Sequence, residues 1–184
     1  MISANTINRF RRHSYLTVAV GFAALFVAAP MLCFAFGPGT IYKDPEFGYS
    51  VTAPSGWTRK ADFPRPYVAF LGPVEDGFQT NFHVDPEPAG NKTLAQFVKV
   101  ARETAAKNKA IRLRSERRAT LAGSPAVILQ SVVTLEGQPP TIVQQVVALH
   151  GGRGYTITFT VAPVALKKNL PTFAKVISSF HWQR

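Results

Sequence analysis

Cysteine is nearly absent. Cys33 is the only one in 184 residues, which excludes an intramolecular disulfide and any multi-cysteine zinc site. Acid is scarce too, with 10 Asp and Glu against 21 Lys and Arg. Phe, Tyr and Trp are missing from Val98 to Gly154. That gap removes the platforms on which single-stranded nucleic-acid binders stack bases, so nucleic acid is not an expected partner. Formal charge is missing from Ser14 to Tyr42, and so long an uncharged, largely apolar run does not read as a surface element in water.

That run is the first feature the sequence does possess. Tyr15 to Phe36 gives 22 residues that would extend about 33 Å as a helix, enough for the hydrocarbon core of a bilayer. Arg9, Arg11 and Arg12 precede it and fix its orientation with the basic flank in the cytoplasm. Cys33-Phe34-Ala35 also carries the small residues that a signal peptidase reads. Residues 1–36 are therefore read as a signal peptide cleaved after Ala35 or as an uncleaved signal-anchor helix. Leu32 is too bulky for the residue before a lipidated cysteine. Residues 37–41 read as a linker and 42–184 as one exported domain, periplasmic or otherwise extracytoplasmic. The domain is either anchored to the inner membrane or released.

The exported part shows short strands punctuated by Gly and Pro. "GYSVTAPSGW", "YVAFLGP" and "FQTNFHVDP" read as strands closed by turns. The period then changes. Leu94, Phe97, Val98, Ala101 and Ala105 share one helical face, and Thr93 with Gln96 has capping-box spacing, which predicts a helix over 93–109. Strands are expected at 111–121, 126–135 and 141–149. In "GYTITFTVAP", Tyr155, Ile157, Phe159 and Val161 alternate with Thr156, Thr158 and Thr160, giving a buried face and a threonine ladder. A closing helix is expected over 170–180, with Pro171 in its first turn and Leu170, Phe173, Ile177 and Phe180 on one stripe. Antiparallel neighbours plus two helices far apart in the chain imply an α+β fold, with helices covering the sheet.

The ordered set "YKDPEFGYSVTAPSGWT", "AFLGP", "NFHV", "LAQFVKVA", "LAGSPAVIL", "GYTITFT" and "FAKVISSFHW" resembles the PsbP-like proteins, over about Ile41 to Trp182. No single motif is diagnostic; the order carries the weight. The resemblance implies an antiparallel β-sheet sandwiched by helices, a fold shared with the Ran-binding protein Mog and the bacterial exported protein DcrB. It also implies a non-enzymatic binding or assembly module with no cofactor and no catalytic residues to carry over.

The residues themselves offer little chemistry. Gly123-Ser124-Pro125 lacks the second glycine of a nucleophile elbow. His83 and Asp85 share a strand face, with Glu87 close by, and could meet a metal in a hydrolase or metal-dependent enzyme. Solvated polar residues on a strand end are the stronger reading. Gly151 to Gly154 precedes a strand rather than a helix, so it reads as a turn and not a phosphate cradle. His150 and His181 show no evident partner.

The stretch Lys99 to Arg118 holds Lys99, Arg102, Lys107, Lys109, Arg112, Arg114, Arg117 and Arg118 against Glu103 and Glu116. Alternation would send Ile111, Leu113 and Leu121 to the core and Arg112, Arg114 and Arg118 to water. A solvated strand and helix face accounts for most of this charge. The candidate contact residues for a partner are Lys99, Arg102, Lys109, Arg112, Arg114, Arg117 and Arg118. The partner is either a protein, free or membrane-bound, or an anionic membrane or other polyanion gripped through Arg112, Arg114, Arg117 and Arg118.

Overall fold

The structure is a computed structural model and describes residues 39–61 and 65–183. The 1–36 leader lies outside the described residues, and no helix among the described residues is long and apolar enough to cross a membrane. In chain order the elements are β1 Thr40–Asp44, β2 Tyr49–Ala53, β3 Thr58–Arg59, β4 Val68–Glu75, β5 Phe78–Pro88 and α1 Leu94–Lys107. They continue with β6 Ile111–Leu121, β7 Ser124–Val133, β8 Thr141–His150, β9 Arg153–Val161, a 3-10 turn Pro163–Ala165, α2 Leu166–Ser178 and β10 His181–Trp182. Strand β1 takes in Thr40 and Ile41, the last two residues of the 37–41 joint.

Seven strands form one sheet in the order β3-β4-β5-β9-β8-β7-β6 and three form a small sheet in the order β1-β2-β10. Every pairing is antiparallel. Successive residues of a strand point to opposite faces, so the two apolar clusters can be assigned to sides of the large sheet. Val146 joins Phe82, Ile157 and Phe159 in a core closed by Phe173 and Val176 of α2 and by Tyr49, Val51 and Ala53 of the small sheet. Its neighbour Val147 joins Leu129 and Ala89 under Phe97 and Val98 of α1. A helix thus covers each face, and the class is α+β as expected.

Helix α1 starts where its cap dictates. The Thr93 hydroxyl accepts from the Gln96 amide at 3.3 Å, and the Thr93 amide donates to Gln96 Oε1 at 2.8 Å. Thr93→Ala removes the hydroxyl acceptor and is expected to lower stability by about 1 kcal/mol, read as a shift in urea midpoint at unchanged slope. The helix settles on β9 because residue 154 has no side chain: a Cβ there would run into the Phe97 ring.

Helix α2 departs from expectation. It begins at Leu166, four residues earlier than position 170, so Pro171 lies inside it and gives up the bond its missing N–H would have made to Lys167. Leu170 is exposed, and the buried positions are Asn169, Phe173 and Val176. Lys167, Lys168 and Asn169 masked the first turn, although Asn169 is held by Glu75 Oε2 at 2.6 Å and the Ala165 carbonyl at 3.0 Å.

Candidate functional site

Strand β6 is the last strand of the large sheet among the described residues and pairs with β7 alone. All side chains from Arg112 to Arg118 are exposed. A bulge between Leu113 and Ser115 inserts Arg114 as an extra residue, and one extra residue inverts the alternation beyond it. Leu121 consequently reaches the α2-side core, while Leu113 lies on the α1 side and is 38% exposed. The expectation that Ile111, Leu113 and Leu121 share one core-facing side is therefore corrected.

The same shift sorts the arginines. Arg112 and Arg117 pair with Val132 and Ile128 and so point to the α2 side; Arg118 pairs with Val127 and points to the α1 side. There Arg102 of α1 lies 3.6 Å from Glu116. Lys99 pairs with Glu103 at 3.4 Å along the helix surface. Lys109 is exposed in the turn between α1 and β6. Among the described residues no carboxylate forms an ion pair with Lys109, Arg112, Arg114, Arg117 or Arg118. Between α1 and the β6–β7 hairpin runs an open groove of about 710 Å³, with Leu94, Val98 and Val127 on its apolar part and Arg102, Glu116 and Arg118 on its charged part. Lys109 and the four arginines thus lie along one edge strand, on both of its sides, with Arg102 across the groove; Lys99 lies apart, beside Asn91, Lys92 and Gln96 on α1's other flank.

The polar residues of β5 have a different fate. Asn81, His83 and Asp85 sit opposite Thr160, Thr158 and Thr156 on the α1 side of the sheet. His83 is 2% exposed, Asp85 7% and Glu87 8%. The reading of these three as solvated is corrected, and in the threonine ladder opposite them Thr158 and Thr160 are buried as well. Burial pushes the His83 imidazole down to about 4 and the Asp85 carboxyl up to about 7. Glu87 is pushed up to about 8 by burial and by the neighbouring Asp85 charge, against the pull of Lys92. Beside Glu87, under Phe97, Ala101 and Thr104 of α1, lies a cavity of about 30 Å³, room for about one water. Among the described residues no three His, Cys, Asp or Glu side chains are grouped to hold a metal ion.

At the opposite end His150 has partners that the sequence did not disclose, while His181 is exposed. His150 stacks on Trp182 with centroids 4.2 Å apart, and its Nδ1 lies 3.3 Å from Ser124 Oγ. Among the described residues no carboxylate is hydrogen-bonded to His150.

No protein-family model and no curated protein matches the chain. Solved structures do. The solution structure of cyanobacterial PsbP from Synechocystis aligns over 85% of this chain and 98% of its own at 20% identity, with a TM-score of 0.59. The fold is that of PsbP and Mog1. The Saccharomyces cerevisiae Ran-binding protein Mog1p aligns over 80% of this chain and 96% of its own at 10% identity and TM-score 0.57. LpqN of Mycobacterium tuberculosis, involved in cell envelope biogenesis, aligns over 79% and 91% at 14% identity and TM-score 0.60. Identities this low carry the PsbP/Mog1 architecture and leave the basic edge as a property of this chain's own residues.

Proposed function

We propose that the protein is an exported, membrane-proximal binding or assembly module without catalysis, and that it engages an acidic protein partner through Lys109 and Arg112, Arg114, Arg117 and Arg118, flanked by Arg102. The observation that carries this reading is the two-sided cationic edge, in which Arg112 and Arg117 point to one face of the sheet and Arg118 to the other. A flat anionic bilayer meets charges lying in one plane. A protein segment that grips the strand from both sides meets all of them, which favours protein over lipid. The leader supports export, and a binding or assembly role is supported by the same fold in the Ran-binding protein Mog1p and in LpqN, which is involved in cell envelope biogenesis.

The test is charge reversal. Arg112→Glu, Arg114→Glu, Arg117→Glu and Arg118→Glu, combined in the full chain, is expected to abolish cross-linking to acidic neighbours. Exposed substitutions of this kind leave the fold within about 0.5 kcal/mol each, so circular dichroism should be unchanged. Neighbours captured equally well by the reversed protein would remove the reading. Salt-sensitive sedimentation with phosphatidylglycerol vesicles, lost on reversal and with no protein captured, would transfer the surface to lipid.

A further inference from the structure

We propose that β6 accepts an extended acidic segment of the partner as an added strand, extending the seven-stranded sheet by one. This rests on the basic edge being the contact surface and specifies how the contact is made.

Three features of β6 point to strand addition. It is 11 residues long, about 36 Å of backbone, and no strand lies beyond it among the described residues. An outermost strand has a row of backbone N–H and C=O groups turned away from the sheet, a template that a second chain can complete. Its arginines also lie on both faces. A strand laid alongside would present successive side chains alternately to the two faces. Adjacent acids would then meet Arg117 on the α2 side and Arg118 on the α1 side. Finally, the groove beside Arg118 offers apolar surface from Leu94, Val98 and Val127, a place for one apolar side chain of the guest next to its acids.

Charge decides the occupant. Four arginines against the single acid Glu116 make a second copy of β6 a poor neighbour, since two such strands would set arginine against arginine. Charged edge residues and bulges commonly serve to stop self-pairing. The same charges that repel a second copy attract a strand rich in Asp and Glu, so the edge discriminates through both effects.

The probe is a ten-residue peptide of valine, threonine and paired glutamates, added to the full chain. Two further versions carry N-methyl groups on alternate residues in the two opposite phases, with charge unchanged. Strand addition predicts slowed amide hydrogen exchange across 111–121. It also predicts that one N-methyl phase binds about tenfold or more weaker while the other binds nearly as well, because alternate amides of an added strand face its neighbour. Arg117→Glu with Arg118→Glu should lose the acidic peptide and gain the lysine counterpart. Peptide binding that is equal in both phases, without exchange protection, overturns strand addition and leaves the basic contact surface standing. Protection produced by phosphatidylglycerol vesicles and not by the peptide overturns it in favour of lipid. Absence of binding by peptide and vesicles alike overturns it together with the contact surface on which it rests.

Discussion

Phe82→Ala is expected to lower the stability of the domain by about 3–5 kcal/mol, the range for emptying a buried aromatic site. Phe82 is fully buried on β5, between β4 and β9. Its ring stacks on Phe70 at 4.8 Å and lies 5.7 Å from Phe159 and 5.6 Å from Trp57. Phe159 in turn meets Phe173 of α2 at 4.4 Å. Phe82 therefore sits at the centre of an aromatic chain that runs through Phe159 to α2, and its loss leaves a void on several sides. Domains of this kind hold only about 5–15 kcal/mol in total, so the melting temperature should fall by about 10 °C or more. Calorimetry on the variant measures it. A loss below about 1 kcal/mol would mean that the site collapses around the smaller side chain and that the aromatic chain is not the centre of the core.

The second large effect is on pH. Unfolded Asp and Glu titrate near 4, whereas in the folded protein Asp85 is raised to about 7 and Glu87 to about 8. The folded state therefore retains protons that the unfolded chain has released. The stabilisation is complete below about pH 4 and is lost as pH rises through the folded values, with a slope of up to about 1.4 kcal/mol per pH unit for each group. His83 acts in the opposite sense. Its folded value is lowered to about 4, so its contribution is present above about 6.5 and is lost as pH falls toward 4. Between pH 4 and 6.5 it offsets one carboxyl. Above 6.5 the carboxyls act unopposed. Urea unfolding at pH 5, 6.5 and 8 should show the protein weaker at pH 8 than at pH 5 by a few kcal/mol, with the steepest loss above 6.5. Asp85→Asn with Glu87→Gln should flatten that upper segment and strengthen the protein at pH 8. Equal stability at pH 5 and pH 8 in the parent protein would show that water reaches these carboxyls freely.

The sequence disclosed the elements whose signals are local. Thr93 and Gln96 mark a helix start by their own chemistry, and the Tyr155 to Val161 alternation marks a strand regardless of its neighbours. The resemblance to PsbP-like proteins, spread over ordered short segments, gave the architecture that the solved structures share. What stayed hidden depends on partners distant in the chain. The bulge at Arg114 follows from the pairing with β7, and no residue in "IRLRSERRATL" announces it. Asp85 and Glu87 look solvated on their own strand and become buried because α1 covers that face. His150 finds Trp182 only when β10 returns to the small sheet. For the candidate site, the arginines were legible as a basic cluster, but their division between two faces was not.

The small sheet has a mechanical consequence. Strand β2 is flanked by β1, where the domain's chain enters, and by β10, where it leaves. Thr40 lies opposite Ala53 at one end of β2, and Trp182 lies opposite Tyr49 at the other. Tension applied between residues 40 and 182 would therefore run along the strands, so that the cross-strand bonds bear the load together in shear. A pull at residue 40 held against residue 182 would meet that resistance before it reached the large sheet.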